Sequence, residues 1–546
     1  MKALIQEWPP ELAAQYREKG YWRGETMLGM LQERAERFGD LTAVVDGERR
    51  WTYRELHERS LRVAAGLLRL GLQAGERVII QLPNIAEFFS VTFGCIRAGL
   101  VPVFTLPAHR ITELTHFAEQ SEASAYVIPA LHEGFDYRNL ATDLQQRAPG
   151  IRHVIVVGDA GAFVALDDVS SADPTGIRFH EAEPSEVFMM QLSGGSTGLS
   201  KLIPRTHDDY IYSFRASAEI CGMDASSVYL GVLPIAHNFP MSSPGTFGAF
   251  YAGATVVLCP SPSPEIAFPL IEKERVTITG VVPPLALIWL DAAANTAHDL
   301  SSLKLFQVGG AKFTPAVAQR VRPTMGTMLQ QVFGMAEGLV NYTRLDDPED
   351  RIVNTQGCPI SKDDEVLIVD DDGNPVPDGT PGHLLTRGPY TIRGYHNAPE
   401  ANARAFTADG YYRTGDVVMR TPEGYLVVMG RSTDQINRGG EKVSAEEVED
   451  HLLSHPQVHD AALVAVPDEY LGERSCAFVI PRGDIGREIK FKASLKAWVR
   501  ERGLAAYKVP DQIVLVESFP STGVGKVSRR ELRQALREQL DVQEGD

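Results

Sequence analysis

Residues 191–206, Gln-Leu-Ser-Gly-Gly-Ser-Thr-Gly-Leu-Ser-Lys-Leu-Ile-Pro-Arg-Thr, concentrate glycines, hydroxyls and a lysine behind the apolar run Val187-Phe188-Met189-Met190. Glycines let a turn bring backbone N–H groups close to an anion, and hydroxyls and lysine add donors and charge. That is the chemistry of a triphosphate loop. A Walker A loop needs Gly directly before Lys, and Ser200 stands there, so the nucleotide fold of that motif is disfavoured. On its own the segment also reads as a Gly/Ser-rich solvent linker.

Three further segments carry chemistry. Phe333-Gly334-Met335-Ala336-Glu337 puts a ring that can stack on a base near a carboxylate that can hold Mg²⁺ beside phosphates. Tyr412-Arg413-Thr414-Gly415-Asp416 offers an acceptor for both hydroxyls of a ribose. Thr522-Gly523-Val524-Gly525-Lys526 brings a cation on a Gly-rich loop, suited to neutralising a carboxylate or α-phosphate. Taken singly, each has a plainer reading: a packed ring beside a solvated charge, an Asp in a turn, a Gly-Lys pair.

These segments need elements to position them. Apolar positions recur at helical spacing over 54–70, 76–82 reads as a buried strand, 88–98 is helical again, and 101–104 is extended. Strands alternating with helices predict an α/β fold with largely parallel sheets. Over roughly 355–430, Gly/Pro/Asp turns separate short strands such as Val366–Val369, which predicts a small antiparallel, β-barrel-like part. Past Gly430-Arg431 the pattern changes to a compact α+β tail. Ser444-Ala445-Glu446-Glu447 reads as a capping box opening a helix with Val448, Leu452 and Leu453 on its apolar face. Strands are expected at 461–466, 476–480 and 512–516, and helices at 491–502 and 528–540. The expected division is 1–430, a hinge at 431–434, and a small mobile unit at 435–546.

At 546 residues the chain exceeds the roughly 250–300 at which single cores stop growing, so more than one domain is expected. Its formal charge of -18 argues against a nucleic-acid or anionic-membrane binder. An acidic protein that binds a polyanion must supply local positive charge or a metal. Cys95, Cys221, Cys259, Cys358 and Cys476 are far apart with no Cys-x-x-Cys pair, as expected of reduced thiols in a cytoplasmic protein. The first residues lack a signal-peptide core, and no run of about 18 apolar residues occurs, so no membrane span is expected.

Together the segments resemble the adenylate-forming superfamily of acyl- and aryl-CoA ligases, luciferases and peptide-synthetase adenylation domains. The resemblance covers nearly the whole chain and preserves motif order: Ser193–Lys201, Ala236-His237-Asn238, Gly309-Gly310-Ala311, Phe333–Glu337, Thr414-Gly415-Asp416, Gly430-Arg431 and Gly525-Lys526. Within the superfamily it is most similar to stand-alone aryl-acid AMP ligases of siderophore synthesis. That group has Ser before the loop lysine, as Ser200-Lys201 does here, and runs like His237-Asn238-Phe239-Pro240 and Gln435–Lys442.

The resemblance implies ATP and Mg²⁺, an aryl acid, and transfer of the acyl group to a phosphopantetheine thiol on an aryl carrier protein or CoA. It implies that Ser193, Gly194, Gly195, Ser196, Thr197, Gly198 and Lys201 handle the β/γ-phosphates and Glu337 the Mg²⁺. Gly310, Ala311 and Phe333 would frame adenine, with Val332 and Gly334 alongside, while Asp416 and Arg431 would grip the ribose. Lys526 would bridge carboxylate and α-phosphate, with His237 also at the reacting centre. Rotation of the C-terminal unit would then bring Gly439 and Gly440 to a thiol channel. The hinge position, normally Lys or Asp, is Thr433 here, next to Asp434.

For the acid, Asn238 is expected to hydrogen-bond an ortho-hydroxyl in a pocket with Phe239, Val332, Val340 and Gly309. Ser243 marks relatives that take 2,3-dihydroxybenzoate, whereas Phe239 is commoner where salicylate is taken. The expected acid is 2,3-dihydroxybenzoate. A salicylate–AMP ligase and an aryl-CoA ligase of aromatic catabolism remain the alternatives. Ser243 also has a plain reading as a helix-start cap beside Pro244. A catalytically dead nucleotide-binding regulator is the non-enzyme alternative, against which Lys526, Glu337 and Asp416 argue.

Overall fold

The computed structural model describes residues 8–193, 200–438, 441–468, 471–502, 504, 506–521, 526–529 and 531–536. Two large sheets are built from strands lying between residues 42 and 359. One is nine-stranded, and from Met328–Gly334 through Leu305–Gly309, Ile278–Val281, Val228–Gly231 and Thr255–Leu258 to Thr42–Asp46 every neighbour pairs parallel. The second is seven-stranded, with Val187–Leu192 beside Val101–Phe104 in parallel and Leu202–Thr206 added antiparallel at its edge. Parallel strands are covered on both faces, so they read as unbroken apolar runs. Arg77–Ile80 and Val101–Phe104 are buried at every position.

The helices begin and end where their caps place them. Thr52 and Glu55 form a reciprocal capping box ahead of Tyr53–Arg69. Thr206 and Asp209 do the same for His207–Ile220, and Asp209 also pairs with the buried Arg205 at 2.7 Å. Glu87–Arg97 ends before Gly99, as its spacing predicts.

Residues 365–431 form a four-stranded antiparallel sheet, Glu365–Val369, Gly382–Arg387, Tyr412–Arg420 and Leu426–Arg431, in the region predicted to be a small barrel-like part. Beyond it stands a five-stranded sheet in which Val458–Asp468 and Gly472–Pro481 pair antiparallel and Gln512–Leu515 adds parallel. The helix Glu488–Glu501 packs Phe491, Leu495 and Val499 on it. Residues 531–536 are helical, and the rest of the helix expected at 528–540 lies partly outside the described residues.

One local expectation is corrected. Ser444 Oγ accepts from Glu447 N at 3.4 Å, so the first half of the capping box forms. The second half does not, because the Glu447 carboxylate is held by Lys508 Nζ at 2.7 and 2.8 Å. A full ammonium outcompetes one backbone N–H for the same carboxylate. Ser444 Oγ instead donates to Met429 O at 2.6 Å, tying the helix to the strand Leu426–Arg431.

The apolar clusters of the described residues do not mix across this point: those built from residues up to Val428 contain nothing later, and the two built from Ile436 onward contain nothing earlier. Polar pairs join the two parts. Lys312 meets Asp450 at 3.0 Å, and Asp291 meets both Arg482 and His459 at 3.3 Å.

Candidate active site

Ligands of α/β sheets lie beyond the carboxyl ends of the strands, and three parallel strands of the nine-stranded sheet deliver candidate residues there. Val228–Gly231 leads to His237, Leu305–Gly309 to Gly310, and Met328–Gly334 ends in Val332 and Gly334. A cavity at these ends is lined by Ser193, Lys201, His237, Asn238, Phe239, Ser243, Gly310, Val332, Gly334, Glu337, Arg431 and Lys526, residues taken from six distant stretches of chain.

The glycine-rich loop spans an antiparallel hairpin whose last pair is Leu192 and Leu202. Ser193 closes its base: Ser193 N donates to Lys201 O at 3.0 Å, and Lys201 N donates to Ser193 Oγ at 2.9 Å. Ser193 Oγ thus accepts from the backbone and keeps its own proton to donate. His116 Nε2 lies 3.1 Å from Ser200 O on the outer side. Lys201 Nζ sits 5.5 Å from the centre of the Tyr395 ring, within cation–π range. Gly194, Gly195, Ser196, Thr197 and Gly198 lie outside the described residues, as do Gly439 and Gly440.

Glu337 is buried, and its Oε1 accepts from Tyr395 Oη at 2.9 Å. Tyr395 Oη is also 3.1 Å from Tyr412 Oη. Arg205 Nη1 donates to Ala336 O at 2.6 Å and Ile392 N to Glu337 O at 2.8 Å, so both sides of the segment are pinned. Among the described residues no group of three or more His, Cys, Asp or Glu could form a metal cage. One carboxylate beside a phosphate site nevertheless suits Mg²⁺, which is commonly bound by one or two protein oxygens plus substrate phosphates and water.

Asp416 and Arg431 face each other in register on adjacent strands, with Nε to Oδ1 at 3.0 Å. Burial pushes the Asp416 carboxyl up, and the Arg431 guanidinium opposes that. Lys526 lines the same cavity and is half-buried there. Gly310, at φ +88°, makes room for it: a Cβ there would stand 2.8 Å from Lys526 Cε. Burial, with Arg431 nearby, lowers the Lys526 ammonium to about 8, partly offset by Asp416 and Glu337. Burial and then the charge of Lys526 lower His237 to about 3, so its ring is neutral. His237 Nδ1 accepts from Phe239 N at 3.2 Å, which leaves the ring proton on Nε2.

Asn238, Phe239, Ser243 and Val332 also line the cavity. The Phe239 ring lies against strand glycines: a Cβ on Gly280 or Gly309 would come within 3.2 or 3.1 Å of Phe239 Cζ. Ser243 closes the short helix Asn238–Ser242, and the next helix, Gly245–Ala252, has no side-chain cap at Pro244. The hydroxyl of Ser243 is therefore not the helix-start cap of the plainer reading.

Five expected residues do not line this cavity. Phe333 alternates with Val332 and Gly334 along its strand, so it turns to the opposite face and packs on the small sheet with Leu339 and Ile368. Ala311 is exposed. Gly309 lies beneath the Phe239 ring, and Val340 packs behind Gly334. Asp416 reaches the cavity through Arg431 rather than on the wall. Conversely, Tyr395, Tyr412, Met335, Ala336, Thr414 and Leu192 line it without having been singled out for it. Asn84 is a further omission. Its Nδ2 lies 3.1–3.2 Å from the carbonyls of Gly231, Leu233 and Cys259, which share its two protons, and its Oδ1 accepts from Ile235 N at 3.0 Å. One side chain thereby fixes the loop that carries His237.

The chain matches the "AMP-binding enzyme" family over residues 31–396 and the "AMP-binding enzyme C-terminal domain" over residues 447–526. It is 59% identical over 533 residues to the 2,3-dihydroxybenzoate-AMP ligase of Bacillus subtilis (strain 168), covering 98% of both chains. It is 50% identical over 530 residues to the vibriobactin-specific 2,3-dihydroxybenzoate-AMP ligase of Vibrio cholerae serotype O1, covering 96% of each. Among solved structures, the apo structure of Mycobacterium smegmatis MbtA superposes with a TM-score of 0.76 at 47% identity, over 97% of this chain and 98% of that one. The chain belongs to the AMP-binding enzyme family, whose members use ATP. Among the described residues no helix is long and apolar enough to cross a membrane.

Proposed function

We propose that this protein is an aryl-acid AMP ligase that activates 2,3-dihydroxybenzoate with ATP and then passes the aryl group to a phosphopantetheine thiol in siderophore biosynthesis. The observation that carries this reading is a single cavity lined both by Asn238 and Ser243 and by Lys526, Glu337 and Arg431. The first pair suits a hydroxylated ring, and the second group suits a carboxylate meeting a polyphosphate.

In the first step a carboxylate oxygen attacks the α-phosphorus, the bond to the β-phosphate oxygen breaks, and pyrophosphate leaves. The acid is already ionised near neutral pH, so positioning and charge neutralisation dominate over proton transfer. Lys526 bridges the carboxylate and α-phosphate, and neutral His237 offers its Nε2 proton beside them. Lys201, Ser193 and the loop residues Ser196 and Thr197 hold the β/γ-phosphates. Asp416 and Arg431 take the ribose, and the backbone at Gly310 and Gly334 flanks the base. Glu337 Oε2 is the group that would hold Mg²⁺, which when bound neutralises phosphate charge. In the second step a thiolate attacks the acyl carbonyl and AMP leaves.

The division of labour we assign is 1–430 for the ATP and aryl-acid sites, 431–434 for a hinge, and 435–546 for a mobile unit. Separate apolar cores joined by polar pairs support it, since polar contacts are exchanged for water at little cost when a unit swings. Free thiols at all five cysteines support a reducing, cytoplasmic setting.

Ser243 is assigned to the 3-hydroxyl of the ring. Ser243→Ala is expected to lower the preference for 2,3-dihydroxybenzoate over salicylate by roughly 5- to 150-fold, the equivalent of about 1–3 kcal/mol. The measurement is kcat/KM for each acid in ATP–pyrophosphate exchange. A wild-type enzyme that prefers salicylate, or a variant with an unchanged ratio, contradicts the assignment. Supplying CoA and pantetheinylated carrier protein in parallel decides the acceptor.

A further inference from the structure

Asn238 lines the cavity with Ser243, and its amide has two chemically opposite ends. Every hydrogen bond to its side chain among the described residues enters through the oxygen. Tyr210 Oη donates to Asn238 Oδ1 at 2.9 Å, and Ser242 Oγ stands 3.2 Å from the same atom while 3.1 Å from Asn238 O. A carboxamide oxygen has two lone pairs: Tyr210 Oη occupies one, and the single Ser242 proton is shared between the other and Asn238 O. Tyr210 and Ser242 are themselves fully buried, at 1% and 0% exposure.

Neither hydroxyl is free to wander. Tyr210 leaves the helix His207–Ile220 one residue after the capping Asp209, with its ring among Phe188, Phe214 and Phe247 and the Arg205 guanidinium 4.8 Å from its centre. Ser242 is one turn on from Asn238 on the same short helix.

Resting on the aryl-acid reading above, we infer that Tyr210 and Ser242 are positioning residues that lock the Asn238 amide with Nδ2 toward the substrate, so that the site demands a hydrogen-bond acceptor ortho to the carboxylate. An ortho-hydroxyl satisfies this. Its proton turns inward to its own carboxylate, and its oxygen accepts from Nδ2. An ortho-amino group does not, because its lone pair is drawn into the ring and its second N–H points at another donor. A buried donor facing a donor leaves both unpaired. The lock therefore selects 2-hydroxybenzoates against 2-aminobenzoate, a discrimination that Asn238 alone, free to turn its amide over, would not make.

The test is ATP–pyrophosphate exchange with salicylate and 2-aminobenzoate for wild type, Tyr210→Phe, Ser242→Ala and the double variant, with thermal unfolding followed alongside. Tyr210→Phe is expected to reduce the salicylate to 2-aminobenzoate ratio of kcat/KM by at least about tenfold. Ser242→Ala is expected to shift it less, in the same direction, and the double variant most. Equal losses with both acids, or an unchanged ratio in both single variants, overturn the lock while leaving the aryl-acid reading intact. Wild-type exchange with no ortho-hydroxy acid overturns the reading and the lock together. Ser242→Ala keeps the test decisive if Tyr210→Phe folds poorly.

Discussion

Lys526→Ala is expected to lower adenylate formation by about 10²–10³-fold or more, the loss seen when one preorganised charge or donor is removed from a developing anion. The same variant should form thioester from presynthesised aryl-AMP at close to the wild-type rate. The reason is geometric. Lys526 lies against Gly310, beside His237 and Arg431, in the arrangement suited to the first step, and the second step needs no cation at the α-phosphate. Exchange and single-turnover thioester formation measure the two separately, and equal loss in both contradicts the division. A pH signature accompanies it. With its ammonium lowered to about 8, Lys526 is charged below that pH and neutral above it, so kcat/KM for adenylation should fall as pH rises through about 8. An ordinary lysine would hold the rate two units further. A profile flat from pH 7 to 10 contradicts the role.

Glu337→Gln is the second large effect, with exchange expected to fall by about 10²-fold and the Mg²⁺ requirement to move to higher concentration. The amide keeps an oxygen for Tyr395 Oη, so the 2.9 Å hydrogen bond and the packing of the segment survive. Only the negative charge goes. The measurement is exchange rate against Mg²⁺ concentration, with thermal unfolding as the control for structure. An unchanged Mg²⁺ dependence would place the ion elsewhere.

Much of this was legible in the chain because periodicity and turn chemistry are local signals. The buried strands at 77–80 and 101–104, the helices around 53–69 and 87–97 and the antiparallel strands after 365 all follow from spacing. The glycine-rich loop was visible because several unusual residues stand together. What escaped was the second layer. Tyr395 reaches Glu337 across 58 positions and Asn84 reaches Ile235 across 151, and no local pattern marks either. Tyr412 lies in the same stretch as Asp416, and no local pattern marks its hydroxyl as a neighbour of Tyr395. Phe333 was expected to frame adenine from its ring and from the family resemblance, whereas strand alternation gives that face to Val332 and Gly334. The half-formed cap at Ser444 failed for a related reason: Glu447 is claimed by Lys508, 61 residues away. Local rules describe what a residue can do, and distant partners decide which option is taken.

The central claim is that this cavity joins an ortho-hydroxylated aryl acid to AMP. Its most direct test is ATP–pyrophosphate exchange by the wild-type protein with 2,3-dihydroxybenzoate, salicylate, 3-hydroxybenzoate and benzoate compared by kcat/KM. The expected order is 2,3-dihydroxybenzoate first, salicylate second, and the two acids without an ortho-hydroxyl at least about tenfold behind salicylate. Benzoate or 3-hydroxybenzoate matching salicylate would contradict the claim.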